Sequence, residues 1–433
     1  MNLVFEDLEN YINLTSCYEL LPSTIRRFGK SAIATLAMHH LAFHKTYKEE
    51  ISIVNFKFSE TLSLKHYIIP IGVGHHPDDW TGSDLSATKI NCPNKLNMFH
   101  YISPTYLKDL QEGRAMILFD QCLEGYQTPW LWQCFHDECE KYNVPPNAVI
   151  YVTGNVIADT QYSSWATDKQ ISKKINVIPY TVFENDVQMM VSHLDLVIDH
   201  KKNYQYKQNN LTKIKTFNCL QKRLRPHRIW FYKYLSDANL LDVGEISMNR
   251  FKASQSFFEG KLITDDEAEH YNKHLPKLVN GKNNNEHSDN FYIRRITDDV
   301  FLNSWVSVVS EAAAGESDNT IFISEKIFKP IACCHPFIVV SNQGYLEKLR
   351  EMGYKTFDGF IDESYDKLSN VYDRYDAIIN SIKKINAIED KLSWFKSIEE
   401  ILIHNYETFI KNTDTPDPAF YKLNTCYKNY FNI

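Results

Sequence analysis

Short apolar runs that end in glycine or a polar turn recur along the first half of the chain, and stretches of helical spacing separate them. HYIIPIGVG (66–74), AMILFD (115–120), NAVIYVTGN (147–155) and INVIPYTVF (175–183) read as strands, and WLWQCFHDECEKY (130–142) as a helix. Continuous apolar runs between helices are the mark of a parallel sheet covered on both faces. Residues 184–199 include a predicted helix, and the basic, Asn/Gln-rich KKNYQYKQNN (201–210) reads as a linker.

A second series follows. TFNCL (216–220) is a strand, and a helix is predicted from Pro226 to about Leu241. Proline suits a first helical turn, where its missing N–H would be unpaired anyway. Residues 252–296 are polar and irregular, with NGKNNNEHSD (280–289) as a surface loop. WVSVVSEAA (305–313), TIFIS (320–324), FIVVS (337–341) and YKTF (354–357) are strand candidates. EKIFKPIACC (325–334) lies among them, YLEKLREM is a helix capped by Gly353, and residues 364–433 are mostly helical. The expected fold is α/β, with two Rossmann-like halves and a helical tail.

Composition narrows the class. With 43% hydrophobic and 23% charged residues over 433, the chain has enough apolar surface to offset ordering entropy, which excludes a disordered protein. No apolar run approaches the ~18 residues that cross a bilayer. MNLVFEDLENYI carries acids where a signal peptide would be basic, and the nine cysteines are odd in number and scattered. Reduced thiols in the cytoplasm are the expectation, with no membrane association.

The net charge of −7 conceals a basic run. Between His200 and Ser236 stand Lys201, Lys202, Lys207, Lys213, Lys215, Lys222, Arg223, Arg225, Arg228 and Lys233, with no acid among them. CLQKRLRPHR (219–228) places four of these cations between a strand and the next helix. Open α/β sheets bind ligands outside strand carboxyl ends, helix N-termini there favour anions, and arginine can clamp a diphosphate. The plain alternative is a solvated basic helix start. In IFISEKIFKPIACCHPFIVVS (321–341), Ser324 is a good N-cap, Glu325 can accept from a ribose diol, and Lys326 and Lys329 can neutralise phosphates. A capped helix with a surface Glu–Lys pair is the alternative.

Together these segments resemble the donor-binding half of GT-B-type glycosyltransferases. QKRLRPHR is similar to an Asn/Arg-rich stretch ending in Arg-Pro-His-Arg in a phage and bacterial group of them, with Gln221 and Lys222 standing where Asn and Arg are expected. SEKIFKPIACCHPFIVV resembles a Glu-Lys, small-residue, Pro-Phe-Val block seen loosely in exostosins and α1,3-fucosyltransferases. ILFDQCLEGYQTPWLW and IYVTGN resemble segments of phage proteins of this group, so the similarity covers roughly 100–185 and 215–365. The resemblance implies an N-terminal acceptor-side lobe (1–205), a C-terminal nucleotide-sugar lobe (206–390) and a closing helical tail (391–433). It implies a donor set of Arg223, Arg228, Glu311, Ser324, Glu325, Lys326 and Lys329, with a UDP-sugar or other nucleotide-sugar as donor substrate and no required cofactor.

An inverting transfer needs a base for the acceptor hydroxyl, and in such folds it comes from an N-terminal-lobe loop. His75, His76, Asp78, Asp79, Asp120 and Glu124 stand at strand ends there, and Asp120 and Asp78 lead the set. The alternative for each is a turn or cap residue. No metal is expected: Cys134, His136 and Cys139 do not share a helix face, and no convincing Asp-x-Asp strand end occurs. P-loop, GxGxxG and Gly-x-Ser-x-Gly motifs are absent. The expected function is hexosyl or pentosyl (glucosyl or arabinosyl) transfer to hydroxymethylated cytosine in double-stranded DNA, in the host cytoplasm if the chain is phage-encoded. A glycan, lipid-linked sugar or protein acceptor is the alternative, and a non-catalytic nucleic-acid or nucleotide-binding protein is the reading from another class.

Overall fold

A computed structural model describes residues 2–5, 52–55, 66–72, 99, 104–122, 125, 130–184, 187–188, 191, 199–221, 224–277, 298–315, 319–412 and 418–433. The chain forms two compact units, Met1–Val182 with Asp414–Ile433, and Phe183–Thr413.

The first unit is built on a parallel six-stranded sheet, β1 (Asn2–Phe5), β2 (Ser52–Asn55), β3 (Tyr67–Gly72), β4 (Ala115–Gln121), β5 (Val149–Thr153) and β6 (Asn176–Pro179), in the order β2-β1-β3-β4-β5-β6. Every side chain from Ala115 to Phe119 is buried, as the unbroken apolar run requires of a strand covered on both faces. Helices α1 (Pro104–Gln111), α2 (Leu131–Lys141) and α3 (Ala158–Asp168) supply the cover. From α2, Phe135 packs 5.7 Å from Phe119 and Trp132 5.8 Å from Tyr151. Cys134 and Cys139 are buried in this layer, while His136 accepts from the Tyr162 hydroxyl at 2.9 Å.

The second unit carries a parallel four-stranded sheet, β7 (Lys215–Gln221), β8 (Gly244–Met248), β9 (Ser304–Ser310) and β10 (Phe337–Val340), in the order β10-β9-β7-β8. Its helices are α4 (His200–Asn209), α5 (Pro226–Asp237), α6 (Asp265–Asn272), α7 (Asp298–Leu302), α8 (Glu325–Ala332), α9 (Tyr345–Glu351), α10 (Val371–Asn386), α11 (Lys391–Ser397) and α12 (Glu399–Lys411). Gly353, at φ 93°, closes α9 in the left-handed conformation its sequence position predicts. Two Rossmann-like units of parallel strands and covering helices match the α/β class read from the sequence.

Several local expectations are corrected. The stretch read as a linker is helix α4, whose Lys207 is completely buried. Its ammonium donates to the carbonyls of Phe301, Leu302 and Ser304 at 3.0, 3.1 and 2.5 Å, satisfying groups at the end of α7. That anchorage holds α4 in the second unit, so the units divide at 182/183 rather than inside the helix at 205/206. The tail is shared: α11 and α12 belong to the second unit, and α13 (Pro418–Phe431) returns to the first. There Phe431 stacks on His66 at 4.4 Å and the Tyr427 hydroxyl donates to the His66 carbonyl. TIFIS and YKTF form no strand of either sheet among the described residues; Ile321, Phe322, Ile323, Tyr354 and Phe357 are buried in connecting segments. No helix among the described residues is long and apolar enough to cross a membrane.

Replacing Lys207 by methionine keeps the volume but strands three buried carbonyls. Lys207→Met should lower unfolding stability by about 3 kcal/mol, read as a lower urea midpoint; an unchanged midpoint would show that the carbonyls do not depend on the amine.

Candidate functional site

The second sheet runs from β7 outward to β8, then returns to the other side of β7 with β9. Doubly wound sheets take ligands in the crevice at such a change of direction, here the carboxyl ends of β7 and β9. Helix α5 starts there with Pro226 at its first position, and Arg225 at the N-cap makes no side-chain cap bond. Pro226 has no N–H and the Arg228 N–H donates to the Arg225 carbonyl at 3.0 Å, so what the helix brings to this place is chiefly the positive end of its dipole, with no serine or aspartate at the cap to quench it.

The first turn of α5 is nevertheless tied to β9. Arg225 Nη1 donates to the Ala312 carbonyl at 3.0 Å. Arg228 Nη2 donates to the Ser310 and Glu311 carbonyls at 3.2 and 3.0 Å, and His227 Nε2 donates to the Glu311 carbonyl at 3.0 Å. Burial, with the Arg228 charge beside it, holds the His227 imidazole well below the usual histidine range, so the ring is neutral and its proton sits on the bonded Nε2. Burial and the neighbouring Arg225 also push Arg228 down to about 10, which leaves it charged at neutral pH. Arg228 is thus a strut between α5 and the end of β9.

Glu311 is the other half of this junction. Its carboxylate is wholly buried and accepts from the Ser324 amide at 3.1 Å, the Ser324 hydroxyl at 2.6 Å and the Tyr345 hydroxyl at 2.8 Å. Burial, then the Glu311 charge, raises the Tyr345 hydroxyl well above its usual range and keeps it a donor. Ser324 also caps α8, accepting from the Lys326 amide. The first turn of α8 is set beside the crevice by this arrangement.

Glu325, Lys326 and Lys329 follow on that turn. Lys326 Nζ lies 3.0 Å from Glu325 Oε1 and 3.9 Å from Glu311 Oε2. Burial alone would raise the Glu325 carboxyl, but Lys326 and Lys329 outweigh it and hold it below the ordinary glutamate range. Burial pushes the Lys329 amine down to about 8, against the pull of Glu325. The Lys326 side chain is 26% exposed, Glu325 11% and Glu311 not at all, so the first two can meet a ligand and Glu311 cannot.

The structure therefore brings together Arg228, Glu311, Ser324, Glu325, Lys326 and Lys329 and divides their work. The inner three shape the junction; of the outer three, Lys326 and Lys329 are partly exposed and Glu325 is nearly buried beside them. Arg223 and Asp78 lie outside the described residues, as do His75, His76, Asp79 and Glu124. Asp120 lies on β4, in register with Gly72 and Val152, near the carboxyl end of the first sheet. Among the described residues no group of His, Cys, Asp and Glu is arranged to hold a metal. Sequence reasoning missed Tyr345 and the strut role of His227; neither carries a local signal, because both act through partners on distant strands.

No family model matches the chain, and no curated protein does. Among solved structures, α,α-trehalose 6-phosphate synthase from Burkholderia multivorans aligns with 99% of this chain and 84% of its own at 11% identity, with a TM-score of 0.43. The N-terminal domain of Candida albicans trehalose-6-phosphate phosphatase aligns with 89% and 76% at 10% identity, with a TM-score of 0.38.

The strut role makes a prediction opposite to that of a ligand arginine. Arg228→Met should destabilise the protein by about 3 kcal/mol, since it removes charge-assisted bonds worth ~1.5–3 kcal/mol each and strands their carbonyls. Full stability with weakened ligand binding would return Arg228 to the surface of the site.

Proposed function

We propose that the protein is a nucleotide-sugar-dependent glycosyltransferase whose second unit holds the donor. The observation that carries this reading is the meeting, at the β7/β9 switch point, of an α5 N-terminus without a side-chain cap and the Glu325–Lys326–Lys329 turn of α8. The pairing of one carboxylate with two amines suits a ligand that has a diol at one end and a diphosphate beside it. Glu325 accepts from the ribose hydroxyls, and Lys326, Lys329 and the positive end of the α5 dipole take the diphosphate. Glu325 is held ionised by its lysines, as an acceptor must be.

In transfer, the acceptor hydroxyl attacks the anomeric carbon and the bond from that carbon to the diphosphate oxygen breaks. The nucleoside diphosphate leaves with the electron pair, and the same cations stabilise its growing charge. Asp120 is the proposed base on the first unit, with Asp78 as the second candidate; the hydroxyl proton passes to that carboxylate.

The acceptor is proposed only as a hydroxyl. The expectation of hydroxymethylcytosine in DNA leaned on the basic run, and that run is not one phosphate-binding face. Lys207 and Arg228 lie inside the fold, and Lys233 is paired with Asp237 at 2.6 Å. Incubation of the preferred donor with hydroxymethylated DNA, a glycan, a lipid-linked sugar and a protein distinguishes the classes by which one gains the mass of a sugar.

A thermal-shift panel of UDP- and GDP-sugars tests the donor reading, because a ligand that binds the native state raises Tm. Glu325→Ala should lower affinity for the active member by roughly 30-fold or more, as expected for truncating one partner of a charged bond. Wild-type affinity in that variant would remove Glu325 from the site.

The Lys329 amine sets a pH dependence. Below about 8 it is an ammonium facing the diphosphate, and above it the charge is lost. Donor affinity should therefore fall as pH rises through 8, approaching tenfold per unit. Lys329→Arg, charged throughout, should flatten the profile; a decline that persists in the arginine variant would assign it to another group.

A further inference from the structure

The chain enters the second unit at Phe183 and leaves it at Thr413, and the two places are bound to each other. Glu184, one residue inside, accepts from the Asn412 side-chain amide at 2.7 Å and from the Tyr354 hydroxyl. Gln188 Nε2 donates to the Phe409 carbonyl on α12 at 2.5 Å. The Glu184 side chain is half-buried, and burial raises its pKa against the pull of Tyr354 and Asn412. A carboxylate taken partly out of water is a costly way to join two segments unless its bonds are needed.

The same groups rest on the helix that carries the proposed donor residues. Phe183 packs edge-on against Phe322 at 5.6 Å, two residues before the Ser324 cap. Phe328, in the middle of α8 and fully buried, packs against Tyr354 at 6.0 Å and Phe409 at 6.3 Å. Phe183 precedes Glu184 in the chain, and Phe328 packs on its partner Tyr354. Both ends of the second unit therefore share one packed layer with α8.

We propose that Glu184 acts as a positioning residue: with Asn412 and Tyr354 it forms a clasp that couples the two connecting segments to helix α8, and so to occupancy of the donor crevice. The inference rests on the donor reading given above. Close-packed layers shift as units rather than deform, and by reciprocity a ligand that orders α8 orders the clasp as well.

Amide hydrogen exchange with UDP-glucose and GDP-mannose as probes tests it. The bound donor should slow exchange at Val182–Glu184 and Phe409–Asn412 by about fivefold or more, the lower bound for a real coupling. Glu184→Leu should abolish that slowing. Glu184→Gln should restore it, because the bonds from Asn412 and Tyr354 both land on one oxygen that glutamine retains. Thr216→Val, which removes the hydrogen bond to Asn386 elsewhere in the unit, should leave it intact. A role in stability alone would lower Tm in Glu184→Leu yet leave the donor-induced slowing unchanged, and that result overturns the clasp. If Glu184→Leu does not fold, Tyr354→Phe removes one of the two bonds and should halve the effect or more; undiminished slowing there also overturns it. If neither probe shifts Tm nor slows exchange anywhere in the wild type, the donor reading falls and the clasp with it.

Discussion

The second unit depends on a carboxylate that never reaches solvent. Glu311, at the end of β9, gathers the Ser324 amide and hydroxyl and the Tyr345 hydroxyl, and so joins the central strand, the start of α8 and the start of α9 at one point. Its own backbone carbonyl takes His227 and Arg228 from α5. A carboxyl group in such a place is tolerated only when its oxygens are satisfied. Because they are satisfied from three directions, the surrounding geometry has little freedom.

That rigidity matters for chemistry on the outer side of the junction. A ligand gains most from charges that are already in position, since ordering flexible side chains on binding costs affinity. Glu325 and Lys326 are fixed by the cap that Glu311 sets, and the mutual bond between them holds both in the first turn. The clamp on β9 and the Glu325–Lys326 turn of α8 are thus two sides of one structure.

Much of the architecture was legible along the chain. The apolar runs at 66–74, 115–120, 147–155 and 337–341 became β3, β4, β5 and β10, because strands buried on both faces must be apolar throughout. Where the pattern misled, tertiary partners were the cause. GEISM mixes polar and apolar residues and still forms β8, the last strand of its sheet, paired with β7 and bridged at Met248 to Lys277. Thr264 and Glu267 cap α6 reciprocally, a Thr-x-x-Glu signature that lay unread in a stretch judged irregular.

The sequence by itself determined the class of fold and where the chemistry-bearing residues cluster, since periodicity and capping are local properties. It placed Ser324, Glu325, Lys326 and Lys329 on one helix start, and Arg225, His227 and Arg228 on another. Only the tertiary structure decided which of these charges is a tool and which is a tie. Lys207 and Lys326 are the same residue type; one is sunk among three carbonyls, and the other stands at a crevice. The difference lies in burial and in partners nearly a hundred residues away, which no window of sequence contains.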